Sequence, residues 1–236
     1  MIPKISFPLL LFVLLFLLSS CDKNPDKRGY QADFTEFFKN DSGCFILYDF
    51  NNKYHIYHNE AFANKELSPA GTYKYLTVLS NVINSRNDSL GTTDTSAINA
   101  QKKIIKNFSY GNNDTSFSPG NFLCGDVLKI SAVEQINFIR KIYMNEINLS
   151  AEQLNVFKTN FVSDTVNQRK ISFVNGECRN NGDNAQKLNW CLGTVEYGNN
   201  LYIFALNLVN SSEARAKEIT ESILYRFRII EPEKES

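Results

Sequence analysis

Leu188-Asn189-Trp190-Cys191-Leu192-Gly193-Thr194-Val195-Glu196, then Tyr197-Gly198-Asn199-Asn200, then Leu201-Tyr202-Ile203-Phe204-Ala205-Leu206-Asn207-Leu208 is the stretch that sets the fold class. Both flanks are rich in aromatic and β-branched residues, and the four residues between them are turn formers. The stretch therefore reads as two strands joined by a hairpin, which makes them antiparallel. Upstream, Lys170–Val174 reads as a third strand; downstream, Ala214–Phe227 is an amphipathic closing helix. Near the N-terminus, Phe34–Phe38 is a short amphipathic start. Gly43–Asp49 (GCFILYD) and Lys53–His58 (KYHIYH) form a second hairpin across the turn Asn51-Asn52.

The middle of the chain has helical spacing. Ser68-Pro69 gives a helix start, with Ser as N-cap and Pro at the first position. Tyr73, Leu76, Val78, Leu79 and Ile83 then make an apolar stripe. Asn84–Thr95 and Tyr110–Asn121 are polar loops around a modest helix, Ser96–Asn107. Ser131–Tyr143 is the best helix in the chain, with Ser131 and Glu134 forming a capping box. Ser150–Thr159 is capped in the same way by Ser150 and Gln153. Two strands, a helical middle, three strands and a final helix make an α+β fold, with a central antiparallel sheet flanked by helices. No internal repeat is visible.

The 236 residues suffice for one ordinary domain or two small ones. Lys+Arg and Asp+Glu both number 25, a balance that argues against a nucleic-acid partner or a polybasic membrane surface. Residues 1–20 have the parts of an export signal: Lys4, the apolar run Phe7–Leu18 broken only by Pro8, and the small residues Ser19-Ser20. The run is short for a membrane span, which needs about 20 apolar residues. Leu18-Ser19-Ser20-Cys21 resembles the bacterial lipobox, in which Cys21 is lipidated; the alternative is a plain secreted protein with a chance cysteine. Residues 21–32 read as a tether and 33–236 as the domain. The expected location is therefore the cell envelope, held by a lipid anchor and facing the periplasm or cell surface.

Export permits disulfides among Cys44, Cys124, Cys178 and Cys191. Three pairings exist on paper. Cys178 with Cys191, which flank a polar stretch, is the favoured pair if one forms, and the alternative is that all four are small buried residues. His55 and His58 lie on a polar strand and are expected to face solvent. No metal-ligand spacing is present, and no metal or cofactor is expected.

Six segments, in order, resemble the class D β-lactamases and the related penicillin-binding, β-lactam-sensing domains. They are Gly43–Asp49, Ser68–Lys74 (SPAGTYK), Tyr110-Gly111-Asn112, Leu128–Gln135 (LKISAVEQ), Trp190–Glu196 and Phe204–Asn207 (FALN). In that family an S-x-x-K motif opens a helix. The serine is the nucleophile, and the lysine, one helical turn on, becomes carbamylated and acts as general base. The resemblance puts Lys74 at the general-base position and Gly71 at the position of the serine. Glycine supplies no nucleophile. Thr72 lies about 100° further round a helix, and Ser68 reads as the cap. Lys74 can still carry a carbamate, but with no serine to serve.

Other positions are altered with it. The K-T/S-G motif is matched by Gly176-Glu177-Cys178-Arg179, with Glu177 for the lysine and Cys178 for the hydroxyl residue. Phe122 stands for the tryptophan that buttresses the carbamylated lysine. Ser96-Ala97-Ile98 is a candidate S-x-V/I motif, though Ser96 also reads as a loop residue or cap. Arg215 lies near the carboxylate-binding arginine, or is a solvated residue of the last helix. Only 35 residues separate Lys74 from Tyr110, fewer than in the family, which implies a shortened helical lobe. The resemblance thus implies a penicillin-recognising fold that has lost acyl-enzyme chemistry, with a β-lactam or peptidoglycan-like molecule as ligand. One alternative is a residual β-lactamase or sensor using another nucleophile, such as Thr72, Ser68 or Cys178. The other is an envelope protein that binds a protein partner on an inherited scaffold.

Overall fold

The computed structural model describes residues 29–84, 95–117, 124–125, 127–166, 168–179 and 186–231. Its strands are β1 (Gly29–Gln31), β2 (Ser42–Asp49), β3 (Tyr54–His58), β4 (Val162–Val166), β5 (Arg169–Arg179), β6 (Lys187–Tyr197) and β7 (Asn200–Val209). Its α-helices are α1 (Thr35–Phe38), α2 (Glu60–Ala63), α3 (Lys74–Ile83), α4 (Thr95–Phe108), α5 (Ala132–Tyr143), α6 (Ala151–Thr159) and α7 (Glu213–Arg226). A 3₁₀ turn, Ala70–Tyr73, leads directly into α3.

The strands form one sheet in the order β1-β3-β2-β7-β6-β5-β4. The β6–β7 hairpin lies at its centre, in register from Leu188↔Val209 to Tyr197↔Asn200. Both faces of this hairpin are covered, which is why its sequence is apolar on both faces. On one face Cys44, Ile46, Trp190, Leu192 and Ile203 pack with Leu76, Leu79, Ile136 and Ile139 of α3 and α5. On the other, Phe45, Leu47, Cys191, Val195 and Phe204 pack with Phe34, Phe38 and the α7 residues Ala216, Ile219, Ile223 and Leu224. The result is an α+β sandwich of three layers, in which the chain's two ends cover one face and its helical middle the other.

Local signals account for most element boundaries. Ser131 and Glu134 form the expected capping box on α5, and Ser150 and Gln153 form one on α6. Ser212 caps α7 by accepting from the Arg215 amide. The Ser68 expectation fails: Pro69 holds the cap position, with no side-chain cap. The backbone is instead pinned by Trp190, whose indole N–H donates to the Ser68 carbonyl at 2.9 Å.

Three further expectations are corrected. The sheet is not wholly antiparallel, because β1 pairs parallel with β3 from Gly29↔His55 to Gln31↔Tyr57. Residues 29–31, read as tether, therefore belong to the sheet, and the Ala32 amide also donates to the Tyr57 carbonyl at 2.7 Å. The histidines do not point to solvent. His55 is 3% exposed and packs between the rings of Tyr48 and Tyr57, with centroids 4.6 and 5.5 Å away. His58 is half-buried, stacks on Phe38 at 4.3 Å and accepts the Phe34 amide on Nδ1 at 3.3 Å. The short strand β4 is an addition at the far edge of the sheet.

His58 makes stability pH-dependent. Burial lowers its pKa below the ordinary 6.5, because the imidazolium is harder to hold than the neutral ring. The unfolded chain therefore takes up this proton first on acidification. Its contribution is intact above about pH 6.5 and is lost as the pH falls below it. Asparagine at this position retains an acceptor but does not titrate. The drop in Tm between pH 7.5 and 5.5 is expected to be smaller in His58→Asn than in the parent; equal drops would show that His58 is not the titrating group.

Candidate active site

The site expected from the sequence is the junction of the 3₁₀ turn with β5. Ala70 enters the turn at φ 47°, a left-handed conformation that costs a Cβ-bearing residue about 1–2 kcal/mol. This bend drives Gly71 onto the backbone of β5. A Cβ placed on Gly71 would lie 2.6 Å from Gly176 Cα and 2.8 Å from the Asn175 carbonyl oxygen. A Cβ on Gly176 would meet Gly71 Cα at the same 2.6 Å. The two glycines, 105 positions apart in sequence, allow main chain to touch main chain. Where the family resemblance implies a serine and an open space above it, this chain has backbone contact.

The neighbouring hydroxyls are committed elsewhere. Thr72 is fully buried; its hydroxyl donates to the Pro69 carbonyl at 2.5 Å and accepts from Gln135 Nε2 at 2.6 Å. Gln135 in turn accepts from the Tyr110 hydroxyl at 3.4 Å. Tyr110 is 1% exposed, and burial holds its hydroxyl well above the usual phenol range. Placed among the ligand-contacting residues from the sequence, Tyr110 is instead an internal strut. The rest of its tripeptide is also structural: Asn112 donates to the Val127 carbonyl at 2.7 Å and accepts the Lys129 amide at 3.2 Å. Ser68 is 7% exposed. Tyr73 donates to Gln101 of α4 at 2.8 Å.

Lys74 begins α3 and is half-buried, with its ammonium 5.7 Å from the centre of the Phe161 ring. Phe161 also stacks on Tyr75 at 4.1 Å, so this wall is aromatic packing. Ser96 is exposed in the first turn of α4, whose buried residues are Ile98, Gln101, Ile104 and Ile105. Ser96 lies about 140° round the helix from Gln101, away from the face that meets Tyr73. Phe122 and Cys21 lie outside the described residues, as do residues 1–28 with the export signal.

On β5 the side chains alternate. Val174, Gly176 and Cys178 face the helical layer, and Glu177 faces outward, where it pairs with Lys187 at 2.8 Å. Glu177 therefore does not stand opposite Lys74; the residue on that face is Gly176. Cys178 forms a disulfide with Cys124, with a Cα–Cα distance of 5.3 Å, leaving Cys44 and Cys191 as buried thiols. This overturns the favoured pairing of Cys178 with Cys191. On adjacent antiparallel strands Cys178 lies opposite Leu188, while Cys191 lies opposite Asn175 and faces the other layer. The disulfide ties β5, two residues beyond Gly176, to the segment leading into the Leu67–Ile130 bridge. The bridge joins that segment to the chain just before the 3₁₀ turn.

Arg215 belongs to the opposite layer. It pairs with Asp41 at 2.7 Å and Glu218 at 2.8 Å and donates to the Phe37 carbonyl, tying α7 to α1. These partners hold its pKa above the usual value, the Asp41 hydrogen bond foremost. Arg215→Met is expected to cost about 1 kcal/mol, as partly exposed pairs do. Urea unfolding measures this, and no change would mean the pair contributes nothing.

The Gly71–Gly176 contact and the Cys124–Cys178 pair were not read from the sequence. Each joins distant segments, and a single chain gives no local signal for either. Among the described residues no His, Cys, Asp or Glu cluster is placed to hold a metal, and no helix is long and apolar enough to cross a membrane.

No protein-family model matches the chain. Among curated proteins, regulatory protein BlaR1 of Bacillus licheniformis is 27% identical over 239 residues, covering 85% of this chain and 39% of BlaR1. Beta-lactamase OXA-19 of Pseudomonas aeruginosa is 30% identical over 107 residues, covering 45% of this chain and 40% of the enzyme. The chain thus spans about two fifths of the length of these relatives. Among solved structures, the C-terminal domain of the Bacillus licheniformis BlaR penicillin-receptor superposes with a TM-score of 0.72 at 23% identity, covering 87% of this chain and 98% of that domain. The class D beta-lactamase of Sebaldella termitidis also gives 0.72, at 22% identity, covering 87% of this chain and all of that one (100%). The chain is therefore homologous to the class D β-lactamases and to the C-terminal penicillin-receptor domain of BlaR, and it carries their fold.

Proposed function

We propose that this protein is an envelope lipoprotein with a penicillin-recognising fold that no longer forms an acyl-enzyme. The observation that supports the reading is the contact of Gly71 with Gly176: β5 backbone lies where a side chain on Gly71 would begin. The alternative nucleophiles are poorly suited. The Thr72 hydroxyl is buried and bonded on both sides, Ser68 is buried, and Cys178 is in a disulfide. In this reading Cys21 is the lipidated mature N-terminus, and residues 22–28 lead from the anchor to the sheet. Any β-lactam or peptidoglycan-like ligand would bind without a covalent bond, and Lys74 would have no catalytic role, carbamylated or not.

The competing reading, a working sensor or β-lactamase, draws on the names of the relatives. Nitrocefin turnover separates the two. The purified protein is expected to hydrolyse nitrocefin no faster than buffer, with no burst in the first turnover. A burst of about one equivalent would favour the sensor, and steady turnover the enzyme. The third reading, an inherited scaffold for a protein partner, would be favoured if crosslinking in membranes recovers one specific protein while β-lactams leave Tm unchanged.

A further inference from the structure

On the face of the sheet away from Gly71, a cavity of about 390 Å³ opens between β4–β7 and α7. Its floor and walls are mostly apolar, formed by Ile171, Phe173, Phe204, Leu224 and Ile230, with the Cys191 thiol and Thr220 among them. This is the size and lining of a small-molecule site rather than a packing fault. Apolar walls of this kind hold water poorly and favour an apolar guest.

The mouth is charged and predominantly acidic. Asp164, Glu221 and Glu231 line it, and among the described lining residues Lys217 is the one cation. Glu231 is taken up by Arg169 at 2.7 Å. Lys217 is shared between Glu221, at 3.7 Å, and the face of the Phe173 ring, at 5.4 Å. Asp164 accepts the Thr165 amide and has no cationic partner among the described residues. A guest that buries an apolar body and leaves a cation at the mouth would complete this arrangement; an anionic head would meet uncompensated carboxylate. Residues 232–236 (PEKES) contain no apolar side chain larger than proline, so they are not suited to fill the floor.

We propose that this cavity is a binding site for small cationic amphiphiles, with the apolar body seated between β5 and α7 and the amine at the acidic mouth. It is independent of the site at Gly71, because the two lie on opposite faces of the sheet.

Cys191 lines the cavity, whereas Cys44, the other free thiol among the described residues, lies in the core on the opposite face. Cys44 is therefore an internal control. The intact protein is treated with methyl methanethiosulfonate, and modification of each thiol is followed by peptide mass mapping with n-octylamine, n-octanol or octanoate present. Octylamine is expected to protect Cys191 but not Cys44, with half-protection on the order of 0.1–1 mM for a ligand of this size. Octanoate should be weaker by about two- to fivefold, the worth of a rim charge. Glu221→Lys, at a half-buried position on the mouth, should reverse that preference. Leu224→Trp should abolish protection by filling the cavity; if it fails to fold, the Glu221→Lys comparison still decides. Equal protection by the three compounds, protection of both thiols, or none below 10 mM (about ten times the upper expected value) would overturn the proposal.

Discussion

Gly71→Ser should produce a less stable protein and no acyl-enzyme. The substitution restores the family's nucleophile in name, one turn before Lys74. The new side chain, however, begins with a Cβ 2.6 Å from Gly176 Cα and 2.8 Å from the Asn175 carbonyl, and both obstacles are main chain. A flexible side chain could swing aside; at Asn175 and Gly176 the strand β5 is held in its ladder with β6, and moving it costs part of that pairing. The expected cost is that of overpacking, roughly 1–3 kcal/mol, read as a lower urea midpoint at unchanged slope. Fluorescent penicillin should leave the variant unlabelled. Labelling of the variant at unchanged stability would mean that β5 yields easily and that only the missing hydroxyl separates this chain from its active relatives.

Removing the Cys124–Cys178 disulfide should cost more. The cysteines are 54 positions apart. Freeing a loop of that length in the unfolded chain lowers stability by about 4 kcal/mol on the chain-entropy model. The same bond holds β5 to the segment that returns through the Leu67–Ile130 bridge. Cys124→Ser/Cys178→Ser, or reduction of the parent, should therefore lower the urea midpoint sharply, and the double variant should gain nothing further from reductant. A loss below about 1 kcal/mol would show that the loop is held by packing alone.

These two sites mark where the sequence stopped being readable. The hairpin Leu188–Leu208, the capping boxes at Ser131 and Ser150 and the closing helix carried local signals, and each forms where its residues place it. The Pro69–Lys74 string places Gly71 at the position where the resemblance implies a serine. What glycine permits there was not legible, because Gly176 becomes its neighbour only when β5 is laid beside the turn. The K-T-G match was placed on Glu177 and Cys178, yet alternation along β5 turns Glu177 outward and leaves Gly176 facing the turn. Arg215 and Tyr110 were assigned by position along the chain; the fold gives the first to Asp41 and the second to Gln135. The histidines misled because KYHIYH alternates like an exposed strand, while α1 covers His58 on one face and the rings of Tyr48 and Tyr57 bury His55 on the other.

The central claim is that this protein makes no covalent bond to a β-lactam at the Gly71 site. Intact-mass spectrometry after incubation with excess benzylpenicillin tests it most directly, with peptide mapping of residues 60–80 as the second readout. The mass is expected to be unchanged and the peptides unmodified. A stoichiometric increase equal to the penicillin mass, mapped to Ser68, Thr72 or any other residue of this turn, would contradict it.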